Sequence, residues 1–286
     1  MNSRTCRPLS VFFALILIAP SLGAQTTKGK PQNSGLEDIG KRDINTGGVN
    51  FTSMESEARI GRQAAAEFER SITLYDDKDV IDYVDRIAQN IAKNSDAKFP
   101  VTIKVIQSDT VNATALPGGF VYINSATLKV VDSEAELAFV IAHLIGHVAA
   151  RHAMEHVSRD TLKQVEQKPA IILSETVRRD SIRELSERSA RTTKLEFSRA
   201  AVKEADFLGL EYLFLAGYDP QAAVRFLRKL EETEASRPKQ SGLFTTHPPT
   251  AERINLVEKW IKLLLPPRER NILNTPEFDA IRLRVN

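Results

Sequence analysis

The chain has 286 residues, of which 42% are hydrophobic, enough to form one sizeable folded core. Its 39 Lys and Arg nearly balance its 37 Asp and Glu, and it contains a single cysteine, Cys6. This composition argues against a nucleic-acid partner and against a fold held together by disulfides.

Residues 1–24 have the pattern of a secretory signal peptide. Arg4 and Arg7 precede an apolar stretch at residues 9–19, and small residues suitable for cleavage follow at residues 21–24. The apolar stretch is too short to span a bilayer comfortably, so we expect no stable membrane span after cleavage. The sequence therefore predicts a periplasmic or secreted protein.

The remaining chain divides into three predicted parts. Residues 25–50 contain few large apolar side chains and are predicted to form a flexible leader. Residues 51–265 form the predicted domain, which begins with helices at 53–71 and 79–93. The consecutive prolines at 266 and 267 end this domain, and residues 266–286 form a C-terminal tail.

Two strands are expected in the middle of the domain. Residues 101–106 alternate between apolar and polar side chains, and residues 119–124 form a second strand after a turn at residues 116–119.

The next predicted element is a helix that begins at a capping box, Ser133–Glu136, and carries His143 and His147. Histidines four residues apart lie about 40° from each other around a helix, so both can face one metal ion. In H-E-x-x-H zinc proteases, the residue after the first histidine is the glutamate that deprotonates metal-bound water. Here that position is occupied by Leu144, which cannot accept a proton.

Several further blocks resemble one known family. They are Asn112–Asn124, Ser198-Arg199, Glu204–Asp206, Ala216–Pro220, Thr246–Pro248 and Arg253. Over roughly residues 50–265 the chain resembles the gluzincin-type zinc metallopeptidase family of the CAAX prenyl endopeptidases, HtpX and BepA. The resemblance implies a helix-rich, zincin-like α+β fold with a small antiparallel sheet packed on the helix of His143 and His147.

The resemblance also assigns roles to individual residues. His143 and His147 correspond to metal ligands, and Asp206 to the carboxylate that orients a ligand histidine by accepting its other N–H. The third zinc ligand of the family falls at Val202, and valine has no lone pair to offer a metal. Glu204 is expected to face away from this position, roughly 200° around the helix. The chain therefore resembles a degenerate member that lacks both essential carboxylates.

Two other assignments leave alternatives open. By resemblance, His247 is a candidate third ligand, but it also fits a loop histidine in a proline-flanked turn. Arg253 is a candidate transition-state stabiliser, but it also fits an ordinary surface arginine of a helix. His152 and His156 form another pair, and helical geometry places His152 about 140° from His147, facing other protein or solvent.

The resemblance further implies a peptide-binding strand. It consists of Gly119, Phe120, Val121, Tyr122, Ile123 and Asn124. This strand is expected at the edge of the sheet, where an extended peptide can pair with it through backbone hydrogen bonds.

We interpret the chain as a secreted or periplasmic member of this family that is proteolytically inactive or severely impaired. It would act as a peptide-binding or chaperone-like assembly or quality-control factor, with an extended peptide or an unfolded envelope protein as its client. Zinc binding would be weak or absent. Two alternatives remain open: an active zinc-dependent metalloendopeptidase in envelope protein quality control, and a tris-histidine metal-binding protein.

Overall fold

The computed structural model describes residues 35–45, 50, 52–155, 197–236 and 249–285. These residues form a helix-rich α+β fold, as predicted. The helices are α1 (Met54–Glu69), α2 (Lys78–Lys93), α3 (Ser125–Val130), α4 (Glu134–Ala149), α5 (Arg199–Leu215), α6 (Gln221–Ser236), α7 (Thr250–Leu264) and α8 (Pro276–Val285). Within the described ranges, no helix is both long enough and apolar enough to cross a membrane.

The sheet is mixed, so the prediction of an antiparallel sheet is wrong for one of its two strand pairs. Its strands are β1 (Thr102–Ile106), β2 (Ala113–Ala115) and β3 (Phe120–Asn124). β1 runs parallel to β3, whereas β2 runs antiparallel to β3. The reason is that β2 carries the chain back along the sheet before β3 begins, so β3 runs in the same direction as β1.

The prediction that residues 119–124 form an edge strand is also wrong. The strand order is β1-β3-β2, which places β3 in the centre of the sheet. The short strand β2, which the sequence analysis missed, covers the side of β3 that was expected to be open. The hydrogen bonds from Asn124 N to Asn112 O (2.9 Å) and from Leu116 N to Phe120 O (2.8 Å) extend this pairing at both ends.

Two apolar clusters form the core. The larger one surrounds α4, which packs against α2, α5 and α6, and it includes Leu144. The smaller one lies between α1, β3 and the start of α5, and it includes Phe68, Tyr122 and Val202. Leu144 and Val202, the two positions at which the resemblance implies carboxylates, thus contribute to the apolar core.

Segments beyond both predicted domain boundaries pack against this core. On the N-terminal side, the Arg42 guanidinium lies 2.5 Å from Asp96 Oδ2 and 2.9 Å from Glu211 Oε2. On the C-terminal side, Phe278, Ile281 and Val285 are buried in the larger cluster. Residues 1–24 lie outside the described residues.

Candidate functional site

Helix α4 carries the two histidines of the H-x-x-x-H motif. Its N-cap is Ser133, as predicted, and the Ser133 hydroxyl accepts a hydrogen bond from Glu136 N at 3.3 Å. The second bond of the predicted capping box differs, because the Glu136 carboxylate accepts from Asp132 N at 3.0 Å. Apart from His143, which is partly exposed, every residue of α4 is buried. A helix that is apolar on all sides belongs inside a core, and this burial fixes where its histidines can point.

His143 and His147 face each other on one side of α4. Their Nε2 atoms are 3.2 Å apart, and their rings meet edge to face. Two nitrogens bound to a tetrahedral zinc at about 2.1 Å each would lie about 3.4 Å apart. The spacing of this pair is therefore compatible with two ligands of one metal ion.

Asp206 lies behind His143. Its Oδ1 is 2.8 Å from His143 Nδ1, the ring nitrogen that points away from His147. Burial raises the pKa of the Asp206 carboxyl, but the adjacent Arg253 guanidinium and His143 outweigh this effect and hold that pKa well below its usual range. Burial lowers the pKa of His143, although Asp206 opposes this shift. Asp206 is thus in contact with a histidine of the motif, but the contact lacks the geometry of a hydrogen bond, so its predicted role of accepting an N–H stays a prediction.

Arg253 lies against Asp206, and its role as a transition-state stabiliser stays a prediction. It is 5% exposed, and its Nε and Nη2 donate to the two carboxylate oxygens of Asp206 at 2.7 and 2.8 Å. The planar guanidinium matches the two carboxylate oxygens, so Arg253 anchors Asp206 from behind. Its burial also differs from the exposed position expected of an ordinary surface arginine.

Two glycines allow α4 and α5 to approach closely enough for these contacts. A Cβ on Gly209 would lie 2.8 Å from His143 N, and a Cβ on Gly146 would lie 2.8 Å from Ala205 O. Both distances are too short for a carbon atom in that position, so any side chain here would push the helices apart. The close approach keeps Asp206, on α5, within reach of His143, on α4.

The side chains of Leu144 and Val202 offer neither a base nor a metal ligand. Leu144 is 3% exposed and Val202 is fully buried, each within an apolar cluster. Among the described residues, no group of three or more His, Cys, Asp and Glu side chains could hold a metal ion. His247 lies outside the described residues. The described residues thus supply two ligand positions and do not fit a complete catalytic zinc site.

His152 contacts the site, contrary to the prediction that it faces other protein or solvent. Its Nδ1 is 3.0 Å from His147 Nδ1, and its Nε2 is 3.3 Å from Glu204 Oε2. The prediction extended α4 past residue 149, but the helix ends at Ala149 and Arg151 has a left-handed backbone with φ 53°. The turn brings His152 back towards His147. Its partner in the other predicted pair, His156, lies outside the described residues.

Phe197 is another contact that the sequence analysis missed. Its ring stacks on that of His147, with centroids 3.9 Å apart and planes 21° apart. Phe197 lies 50 residues beyond His147, and no local pattern connects the two positions. The only signal for His152 in the sequence was its position five residues after His147. The turn that brings it back could not be predicted, because an arginine such as Arg151 rarely adopts a left-handed backbone.

Comparisons with known proteins agree with this architecture. The model of peptidase family M48 matches residues 79–261. The chain is 30% identical over 250 residues to the beta-barrel assembly-enhancing protease of Yersinia pestis, covering 85% of this chain and 50% of that protein. It is 30% identical over 219 residues to the protein of the same name from Escherichia coli O157:H7, covering 74% of this chain and 45% of that protein.

A mitochondrial relative matches as well. The chain is 29% identical over 221 residues to the mitochondrial metalloendopeptidase OMA1 of Schizosaccharomyces pombe, covering 74% of this chain and 63% of that protein. The chain spans about half the length of the bacterial relatives that it matches. The matched region contains α4, α5 and the contacts between them, and it shows that the chain belongs to peptidase family M48.

Proposed function

We propose that this chain is a peptide-binding member of family M48 with little or no proteolytic activity. It would serve as a chaperone-like assembly or quality-control factor in the cell envelope. The observation that carries this proposal is the burial of Leu144 and Val202 in the two apolar clusters. Loss of a general base typically slows a reaction by about 10²–10⁴-fold, and loss of a ligand additionally weakens metal binding.

Peptide binding needs neither of the missing carboxylates. The strand suited to peptide binding is β2, because β3 is paired on both sides whereas β2 lies at an edge of the described sheet. β2 also packs against α4, the helix that carries the histidine pair. Asn112 O and Leu116 N bond to β3, and backbone direction alternates along a strand. The N–H and C=O groups of Ala113 and Ala115 therefore point away from β3. An extended peptide could pair with this side of β2 through backbone hydrogen bonds.

The envelope location is supported by the predicted signal peptide at residues 1–24 and by the relatives named as beta-barrel assembly-enhancing proteases. The proposed client is an extended or unfolded segment of an envelope protein.

An active zinc endopeptidase is the second candidate, and one observation favours it. The 3.2 Å separation of the two Nε2 atoms and the contact of His143 with Asp206 are compatible with two ligands of one metal ion. Relatives of this chain are named as proteases and a metalloendopeptidase, so the two candidates differ mainly in whether bond cleavage persists.

A digest of casein and of a peptide library by the full chain separates the two candidates. We expect no chelator-sensitive cleavage by the unaltered chain. The Leu144→Glu/Val202→Glu double variant, supplied with zinc, should gain activity that the matched Leu144→Gln/Val202→Gln variant lacks. Chelator-sensitive cleavage by the unaltered chain, at a rate that follows its concentration through purification, would contradict the proposal and favour the active enzyme.

A further inference from the structure

The turn that follows α4 has a conformation that its sequence does not favour. α4 ends at Ala149, and Arg151 then adopts a left-handed backbone with φ 53°. This conformation is uncommon for a long side chain and costs free energy, so it persists only where surrounding contacts hold it. The turn matters for the site because it brings His152 Nδ1 to 3.0 Å from His147 Nδ1.

Contacts that hold this turn come from residues much earlier in the chain. Arg151 Nε donates to Glu57 Oε2 at 2.6 Å, and Arg151 Nη2 donates to Thr52 O at 2.6 Å. Asn45 Nδ2 donates to Ala149 O at 3.2 Å. That carbonyl belongs to the last turn of α4, where helix geometry leaves carbonyl groups without a partner inside the helix. The earlier residues thus contact both the end of α4 and the side chain of the left-handed residue.

Arg42 anchors residues 35–45 to the rest of the fold. Its Nε donates to Asp96 Oδ2 at 2.9 Å, and its Nη2 lies 2.9 Å from Glu211 Oε2. Asp96 Oδ1 also accepts from Gly40 N at 2.6 Å. Both carboxylates are almost completely buried, and a buried carboxylate without a charged partner is costly. The arginine therefore fixes this stretch to α5 and to the loop after α2.

All of these residues precede the part of the chain that the family model matches, which begins at residue 79. We call the described residues 35–45 and 52–57 the N-terminal clamp. Its side chains Ile39 and Ile44 also pack, partly buried, against the larger apolar cluster. The clamp is thus held by one buried ion-pair cluster and by apolar contacts, and it reaches the histidine site through the turn after α4.

We propose that the N-terminal clamp is a conformational device that holds the turn after α4 and so positions His152 against His147. When the clamp opens, the left-handed backbone of Arg151 loses its support and the turn opens with it. His143 and His147 lie within α4, whereas His152 follows the turn and depends on it. The coupling is independent of whether the chain binds peptides.

Amide hydrogen exchange of the full chain, followed by NMR, tests the coupling. Within the turn, Arg151 N donates to Val148 O at 3.1 Å and Met154 N donates to Arg151 O at 3.0 Å, so both amides report its opening. Asn45→Ala removes one contact of the clamp without leaving a buried charge. Both amides should exchange roughly two- to tenfold faster in this variant, as expected from the loss of one hydrogen bond.

The position of His152 is measured separately by its reaction with diethyl pyrocarbonate, located by mass spectrometry. His152 is 3% exposed, so the reagent reaches its ring when the turn opens. Modification of His152 should accelerate in Asn45→Ala by about the same factor as amide exchange. Ala135 N, which donates to Leu273 O at the other end of α4, is the internal control and should keep its exchange rate.

A second pair of variants tests the anchor. Arg42→Met should accelerate exchange at Arg151 and Met154, whereas Lys41→Met removes an equal charge from an exposed neighbouring position and should leave it unchanged. If Arg42→Met does not fold, Asn45→Ala decides alone. Unchanged exchange in the turn of a folded Asn45→Ala variant would overturn the proposal. Equal acceleration at Ala135 would overturn it as well, because the whole fold rather than the turn would then have loosened.

Discussion

Arg253 holds Asp206 through two nitrogens, at 2.7 and 2.8 Å, although the two residues are 47 positions apart in the sequence. Both side chains are almost completely buried, at 5% and 1% exposure. A buried carboxylate needs a charged partner, since its desolvation is otherwise uncompensated. This pair links α7 to α5 and keeps Asp206 against His143.

We therefore expect Arg253→Met to reduce the free energy of unfolding by roughly 3–5 kcal/mol, because Asp206 would remain buried without its partner. Urea unfolding measures this loss. Arg228→Met provides the control, since Arg228 pairs with Glu258 at the exposed surface and its loss should cost less than about 1 kcal/mol. Equal losses in the two variants would show that the buried pair contributes no more than a surface pair.

Val202→Glu is expected to destabilise the chain by several kcal/mol in the absence of metal. It would place a carboxylate among the apolar side chains of the smaller cluster, where the desolvation of a charged group is costly. Thermal unfolding with and without zinc tests this expectation. If the position still corresponds to a ligand, zinc should restore stability to Val202→Glu and not to Val202→Gln. If zinc stabilises the two variants equally, position 202 does not act as a ligand position together with the histidine pair.

Stability should also depend on Glu57, which accepts from Arg151 Nε at 2.6 Å. Burial raises the pKa of Glu57 above its ordinary value, although Arg151 opposes the shift. An acid whose pKa is raised in the folded state contributes stability below its unfolded pKa, and this contribution is lost as pH rises through the folded pKa. Glu57→Gln removes the pH dependence that this carboxyl gives to stability. The variant should therefore gain stability relative to the unaltered chain as pH rises from about 4.

Urea unfolding at a series of pH values measures this trend, and Glu55→Gln on the exposed face of α1 serves as its control. A stability difference between Glu57→Gln and the unaltered chain that stays constant with pH would argue against a raised pKa.

Peptide binding should depend on the backbone of β2. Ala113→Pro removes an N–H that points away from β3, so the sheet should survive while affinity for extended peptides falls by about tenfold or more. Ala113→Val keeps the amide and should bind as the unaltered chain does. Titrations followed by fluorescence anisotropy measure the affinities, and circular dichroism checks the fold. Equal affinity of the folded proline variant would place the peptide elsewhere.

The sequence by itself determined the features that depend on local spacing. His143 and His147 lie four residues apart on a helix, and apolar residues stand at positions 144 and 202, whatever the rest of the chain does. That these two positions correspond to the family's carboxylates stays a prediction from the resemblance. The start of α4 at Ser133 is equally local, because a cap needs only residues within one turn. These patterns also sufficed for the helix-rich fold.

Tertiary structure determined two kinds of contact. In the first, the two residues are distant in the sequence; in the second, they are close in the sequence but a turn lies between them. The central place of β3 depends on both neighbouring strands, and the parallel pairing with β1 depends on the path of the chain through β2. Arg253 meets Asp206 only because α7 packs against α5. His152 reaches His147 because α4 ends at Ala149, where helical periodicity ceases to predict the direction of a side chain.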